Sequence, residues 1–335
     1  MGKKRALITG ISGQDGSYLA EYLLSEDYEV FGTLRRSSVS ENQTKNIEGI
    51  IDDINTEYAD MTDVSSLHRV MGLAKPHEIY NLAAMSHVRV SFDVPQFTAQ
   101  VNALGVVNLL EAIRQVSPTS KVYQASSSEM FGNCIEENGY QNENTPMHPV
   151  SPYGCCKLFA FRLMRNYRHS YNMFASNGIL FNHESPRRGS NFVTNKVVKT
   201  AVKIKLGLEK ELVLGNMDSY RDWGCSKDYV KAMNLILNHS EPDDFIIATG
   251  KTHSVRDLCE YVFNRLGMDY KDYVRQDEKY MRPEELRCLK GDSTKSRTIL
   301  GWKPTYTFQT MLDEMVDHWL DLLGPGKNRN KVPSL

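Results

Sequence analysis

The sequence has no C-x-x-C pair among its six cysteines, Cys134, Cys155, Cys156, Cys225, Cys259 and Cys288. That removes the usual zinc spacing, and no metal is expected. No apolar run approaches the roughly 20 residues that cross a bilayer, and nothing resembling a leader precedes the first strand-like segment, RALITG. The expectation is a soluble, cytoplasmic chain with free thiols and no membrane partner. Charge of one sign is missing too: 40 Lys+Arg face 41 Asp+Glu, which argues against a nucleic-acid partner. There is no internal repeat and no low-complexity tract. What remains is 335 residues, 41% hydrophobic and 24% charged, enough for one large domain or two unequal ones.

The first half alternates. RALITG, EVFGTL, EIYNLAA and KVYQASSS read as strands, and residues 16–25, 65–73 and 98–115 read as helices between them. Such alternation implies parallel strands joined by crossover helices, an α/β Rossmann-type doubly wound sheet. In that architecture ligands sit beyond the carboxyl ends of the strands. GISGQDG, RRSS, AAMSHV and SSSEMFG all fall at such ends. The second half is less regular. Residues 191–206 read as a helix with Lys196, Lys199 and Lys203 on one side and Val193, Val197, Ala201 and Ile204 on the other. RDWGCSKDYVKAMNLIL and FIIATG read as segments returning to the sheet, and residues 255–266 and 308–323 as helices. The expected division is a cofactor domain over 1–180 with return segments near 222–250, an interleaved substrate domain over 181–323, and a flexible tail over 324–335.

GISGQDG sets Gly10, Gly13 and Gly16 three apart between a strand and a helix. Glycines there let backbone N–H groups approach a pyrophosphate at the helix N-terminus. The second strand ends in Leu34, Arg35, Arg36, Ser37 and Ser38, with no carboxylate for a ribose 2′-hydroxyl. Two cations and two hydroxyls suit a 2′-phosphate, so the cofactor read here is NADP. Asp60 is then placed to face the adenine. SPYGCCK sets Tyr153 and Lys157 one helical turn apart. A lysine beside a phenol lowers the phenol's pKa and lets it exchange a proton with an alcohol while a hydride moves. The serines of YQASSSEMFG offer a second hydrogen bond to that alcohol. Glu129 is surplus to alcohol oxidation. It is what a dehydration needs: oxidising a sugar at carbon 4 acidifies the hydrogen on carbon 5, and a partly desolvated carboxyl with a raised pKa can remove that proton and help the carbon 6 hydroxyl leave as water.

These stretches, together with NLAAMSHVRVSF, NGILFNHESPRRGSNFVTNK, LGNMDSYRDWG and RPEELRCLKGD, resemble the GDP-mannose 4,6-dehydratase family of extended short-chain dehydrogenases from about Ala6 to about Leu320. The resemblance implies a hydro-lyase that converts GDP-mannose to GDP-4-keto-6-deoxymannose with recycled NADP. It implies that Gly10, Ile11, Ser12, Gly13, Gln14, Asp15 and Gly16, Arg35 to Ser38, Asp60, Met61, Leu82, Ala83, Ala84, Met85 and Ser86 contact NADP, with Lys157, His183 and Arg188 completing that site. Ser127 stands where the family has a catalytic threonine, Glu129 matches its general base and Tyr153 its proton-transferring tyrosine. Val88, Ser91, Asn182, Val193, Lys196, Arg221, Arg282 and Glu285 match positions lining the GDP-sugar pocket, with Lys196, Arg221 and Arg282 as cations for the diphosphate. The family also implies a homodimer or homotetramer with the Arg35–Ser38 loop near a subunit interface.

The chain departs from the family at Ser127, at Phe97 where a tyrosine is usual, at Cys225 in place of a histidine, and in a shorter segment before Arg282. Two other readings stand beside this one. An NADPH-dependent 4-keto reductase or epimerase of the same fold would not need Glu129 beside Ser127. A cofactor-sensing scaffold would not need Tyr153, Lys157 and Glu129 together.

Overall fold

The computed structural model describes residues 2–36, 43–281 and 284–324. Ser37, Ser38 and Arg282, named above, and the tail from residue 325 lie outside them. The first half runs β1 (Arg5–Thr9), α1 (Gln14–Ser25), β2 (Glu29–Leu34), β3 (Asn55–Tyr58), α2 (Val64–Ala74), β4 (Glu78–Asn81), α3 (Val88–Asp93), α4 (Pro95–Ala99), α5 (Gly105–Val116), β5 (Lys121–Ser127), α6 (Pro152–Tyr171) and β6 (Ala175–Leu180). There follow β7 (Asn182–Glu184), α7 (Val193–Lys205), β8 (Leu212–Leu214), β9 (Tyr220–Cys225), α8 (Ser226–Asn238) and β10 (Asp244–Ile247). The chain ends with β11 (Thr252–Ser254), α9 (Val255–Arg265), β12 (Val274–Gln276), β13 (Cys288–Leu289), α10 (Thr294–Ile299) and α11 (Phe308–Leu323).

Seven strands form one sheet in the order β10-β6-β5-β4-β1-β2-β3, every pair parallel. Its central strands are largely buried because helices cover both faces; all six residues of β6 are buried. One face packs Leu19, Leu23, Val230, Met233 and Ile236 of α1 and α8. The other packs α2, α5 and α6 through Leu67, Val70, Leu109, Leu110, Ala160 and Met164. The chain order reverses direction between β1 and β4, so the crevice above those strand ends is where a ligand belongs.

The alternation expected from sequence is present, with three differences. β3 went unread because NTEY is a polar, partly exposed strand at the sheet's edge with no apolar alternation. The helix expected over 98–115 is interrupted by a π-helical turn at Gln100–Leu104, between α4 and α5. Of the segments expected to return to the sheet, β10 joins it and α8 covers it. β9 instead enters a separate small sheet with β7, β11 and β13. A second core lies there, where α7, α9 and α11 close over β8 and β9 through Val198, Val202, Trp223, Val262, Leu312 and Val316. α9 and α11 each begin on a reciprocal cap, Ser254 with Asp257 and Thr307 with Thr310, which explains their sharp starts.

Candidate active site

The glycine loop after β1 opens α1 with its backbone bare. A Cβ on Gly16 would lie 2.3 Å from the Gly10 carbonyl and 2.7 Å from the Ile11 Cα, so only glycine lets the loop fold this closely onto the helix. Across the crevice, the loop after β4 is tied down from two sides. The Thr9 hydroxyl accepts from the N–H groups of Leu82 (3.1 Å) and Ala83 (3.2 Å). The Asn102 amide accepts from Met85 N–H and donates to Met85 C=O, both at 2.8 Å. Asn102 lies in the π-helical turn, a distortion that recurs at functional sites.

Between these loops is a cavity of about 360 Å³. Gly10, Ser12, Gly13, Gln14, Asp15, Gly16, Arg35, Asp60, Met61, Leu82, Ala83, Ala84, Ser86 and Arg188 line it, fourteen of the residues read as cofactor contacts. Ile11 turns its side chain into the core, fully buried against Gly32. Met85 is absent from the lining, and Arg36 is exposed, its guanidinium 5.8 Å from the Tyr58 ring. Arg35 lies at the rim, and no carboxylate stands at the end of β2.

A second cavity, about 660 Å³, adjoins the first and shares Asp15, Leu82, Ala84, Ser86 and Arg188 with it. Ser127, Glu129, Tyr153, Lys157, His183, Val88, Asn182, Val193 and Lys196 line it. β5 ends at Ser127, whose hydroxyl accepts the Glu129 N–H at 3.2 Å and starts a single turn, Ser128–Phe131, that keeps Glu129 nearly buried. α6 starts on the Ser151 cap with Pro152 in its first turn, which sets Tyr153 at the helix mouth. Ser91 does not line the cavity: it is buried, accepting from Tyr153 N–H at 3.2 Å and donating to Val88 C=O at 2.6 Å. Arg221 is buried as well, donating to the carbonyls of Tyr220 (2.8 Å) and Leu286 (3.0 Å). Neither it nor Glu285 is among the lining residues. Phe97 is surface-exposed, and the Cys225 thiol is buried, which pushes its pKa up to about 12.

The electrostatics correct one expectation. The Tyr153 phenol is raised above its ordinary value, not lowered. Lys157 Nζ donates to Ala125 C=O at 2.8 Å and lies 5.7 Å from the Tyr153 ring centre. Burial pushes Tyr153 up to about 12; the Ser127 hydroxyl and Arg188 pull it down, and the charges of Glu129 and Asp15 push it up. Burial brings Lys157 down to about 8, against the pull of Asp15. Asp15 is pushed up by burial yet held at about 2 by His183, the Ser226 hydroxyl and Arg188. His183 contacts the Phe181 carbonyl and Asp15 Oδ2, both at 2.7 Å. Burial lowers its pKa and Asp15 raises it further, for a net rise. Two acceptors, one on each ring nitrogen, hold the imidazolium form.

Sequence reading missed the roles of Asn102, Thr9 and Ser226, which position loops or charges; Thr9 and Ser226 lie in segments it used only to place strands and returning segments. Nothing in the spacing of Asn102 marks it, because its role depends on a helix distortion. Among the described residues no helix is long and apolar enough to cross a membrane.

The arrangement can therefore hold an extended dinucleotide beside a cavity that carries a phenol, a hydroxyl and a carboxyl. The family model for GDP-mannose 4,6 dehydratase matches residues 7–315. The chain is 49% identical over 331 residues to GDP-mannose 4,6 dehydratase 2 of Arabidopsis thaliana, covering 96% of this chain and 88% of that one. It is 45% identical over 358 residues to GDP-mannose 4,6 dehydratase of Homo sapiens, covering 98% and 95%. The fold is similar to that of Thermus thermophilus UDP-glucose 4-epimerase solved in complex with NAD, with TM-score 0.82 and 26% identity over 94% of this chain and 98% of that one.

Proposed function

The chain belongs to the GDP-mannose 4,6-dehydratase family, and from that membership we propose that it removes one water from GDP-α-D-mannose to give GDP-4-keto-6-deoxy-D-mannose. The observation that carries this reading is Glu129 in the same cavity as Ser127 and Tyr153, close enough for its charge to be felt at the phenol. A carboxyl there has no work in simple alcohol oxidation. It has work once a ketone has formed beside a C–H bond.

The nicotinamide cofactor fits the smaller cavity. The glycine loop exposes backbone donors to a pyrophosphate, and Arg35 with no carboxylate at the end of β2 favours NADP over NAD. When bound, oxidised NADP would supply a reversible hydride store and a positive charge. Tyr153 Oη exchanges the proton of the carbon 4 hydroxyl, and Ser127 Oγ orients that hydroxyl. Arg188 and Ser127 already draw the phenol's pKa down, and a positive neighbour adds to them. With the carbon 4 ketone in place, the Glu129 carboxylate takes the carbon 5 proton. The same carboxyl returns a proton to the carbon 6 hydroxyl as that C–O bond breaks, so water leaves. Tyr153 Oη then gives carbon 5 the proton it took from the carbon 4 hydroxyl, and the hydride taken from carbon 4 would end on carbon 6, so protons and electrons balance with no net use of cofactor.

We assign cofactor binding to residues 1–180 with return segments near 222–250, and sugar-nucleotide binding to 181–323. We also propose a cytoplasmic homodimer or homotetramer with the loop that starts at Arg35 near a subunit interface; six free thiols accord with a reducing compartment. A monomeric mass in solution would remove the assembly.

The test is mass spectrometry of the sugar nucleotide after incubation of pure protein with GDP-mannose and no added NADPH. Loss of one water with a 4-keto group supports the reading. An unchanged substrate, with turnover only when NADPH and a keto sugar are supplied, replaces it with a reductase. Glu129→Gln should lower dehydration by about 10²–10⁴-fold while NADP still binds; normal turnover in that variant removes Glu129 from its role.

A further inference from the structure

The cations read in the sequence for a diphosphate do not all reach the larger cavity. Arg221 donates from Nη1 to two backbone carbonyls and is not among the residues lining it, whereas Lys196 is. A second ammonium stands beside Lys196 that the motifs gave no reason to notice. Lys279 and Tyr280, from the short turn Glu278–Tyr280, line the same cavity. The Tyr280 ring centre is 4.3 Å from Lys196 Nζ and 4.9 Å from Lys279 Nζ.

The turn is fixed in place. β12 runs parallel to β8, and Asp277 N–H donates to Leu214 C=O at 2.9 Å. The Tyr280 carbonyl lies against Gly215, where a Cβ would stand 2.6 Å away. Lys196 spends one donor on Val213 C=O at 2.6 Å and has two more. Lys279 pairs with Asp277 Oδ2 at 3.2 Å at the surface, where an ion pair is worth little. Burial, and then the charge of Lys279, lowers the pKa of Lys196, so the two ammoniums repel. The ring attracts both and holds them on one wall. What relieves the repulsion is a ligand with negative charge spread over neighbouring phosphates.

Resting on the reading that this cavity takes a nucleoside-diphosphate sugar, we propose that Lys279 is a second cation gripping the diphosphate, and that Tyr280 is the positioning residue that holds Lys196 and Lys279 together. Asp277 competes with the diphosphate for Lys279.

Calorimetric titration of the full chain with GDP and with guanosine tests this. Lys279→Met should raise the Kd for GDP about fivefold, the scale of an exposed ion pair, and leave guanosine unaffected; Lys279→Arg should restore GDP binding. Tyr280→Leu should weaken GDP binding and Tyr280→Phe should not. Asp277→Asn removes the competing carboxylate yet can still cap the turn, where Asp277 accepts the Lys279 N–H at 3.0 Å, and should tighten GDP binding. If Lys279→Met binds GDP as the natural chain does, or loses GDP and guanosine alike, the grip is overturned while the proposed function stands. If the natural chain binds no GDP, the proposed function falls and the grip with it.

Discussion

The two cavities that meet at Asp15 and Arg188 are built in opposite ways. The smaller draws more than half of its lining from two short runs, the glycine loop and the loop after β4 that Thr9 and Asn102 hold. The larger is made of side chains from scattered segments: β5 and its following turn, α6, β7, α7, and the turn at 278–280. A backbone site needs small residues at fixed spacing, and so it leaves a motif. A side-chain site needs only the right group at the right place in space, and its residues may lie anywhere along the chain. The comparison teaches why a dinucleotide loop leaves a short local motif whereas the substrate pocket was read only through resemblance over the whole chain.

The largest effect that would sharpen this contrast is at the chemistry itself. Tyr153→Phe keeps the ring and removes the exchangeable proton. We expect turnover to fall by about 10²–10⁴-fold with NADP affinity retained, measured by steady-state rates beside a cofactor titration. A variant that turned over normally would remove the phenol from the reaction.

Gly16→Ala attacks the backbone-built cavity. Its methyl group meets the Gly10 carbonyl and the Ile11 Cα, neither of which is a flexible side-chain end. Stability should fall by about 1–3 kcal/mol, as for overpacked sites, and cofactor affinity should fall with it. Denaturant unfolding together with NADP titration checks both; an unchanged affinity would mean that the loop does not approach the cofactor.

The smallest effect lies at the seam. Asp15, ordinarily at 3.8, is held at about 2, so its stabilising contribution is full above 3.8 and is lost as pH falls through the folded value. His183 is raised above its ordinary 6.5, so its contribution is full below 6.5 and is lost as pH rises through the folded value. Both contributions stand together between those two ordinary values. Asp15→Asn should therefore lower Tm most in that window and less on either side. A Tm deficit that stays flat from about pH 4 to 9 would mean that the pair does not titrate as described.

Much of the fold was legible. Short strand-like runs marked β1, β2, β4 and β5, and the Tyr153/Lys157 spacing marked a helical turn in what is α6. β3 escaped because an edge strand can be polar, and the π-helical turn escaped because local helix periodicity hardly changes across it. At the site, Glu129, Tyr153 and Lys157 were named from short motifs and Ser127 from the family resemblance, and the four line one cavity. The direction of the Tyr153 shift was not legible: it depends on burial and on Asp15 and Arg188, which lie far away in sequence. Arg221 shows the same limit from the other side, a cation in the right stretch that is buried and donates from Nη1 to two backbone carbonyls without lining the cavity.

The sequence by itself determined the order of strands and helices and the glycine loop, because backbone conformation and apolar periodicity are local properties of neighbouring residues. It also determined which groups were available for chemistry. Only the tertiary structure decided which of those groups face one another and how tightly each holds its proton. Burial and through-space charge depend on distance in the folded molecule, and distance along the chain carries little information about either.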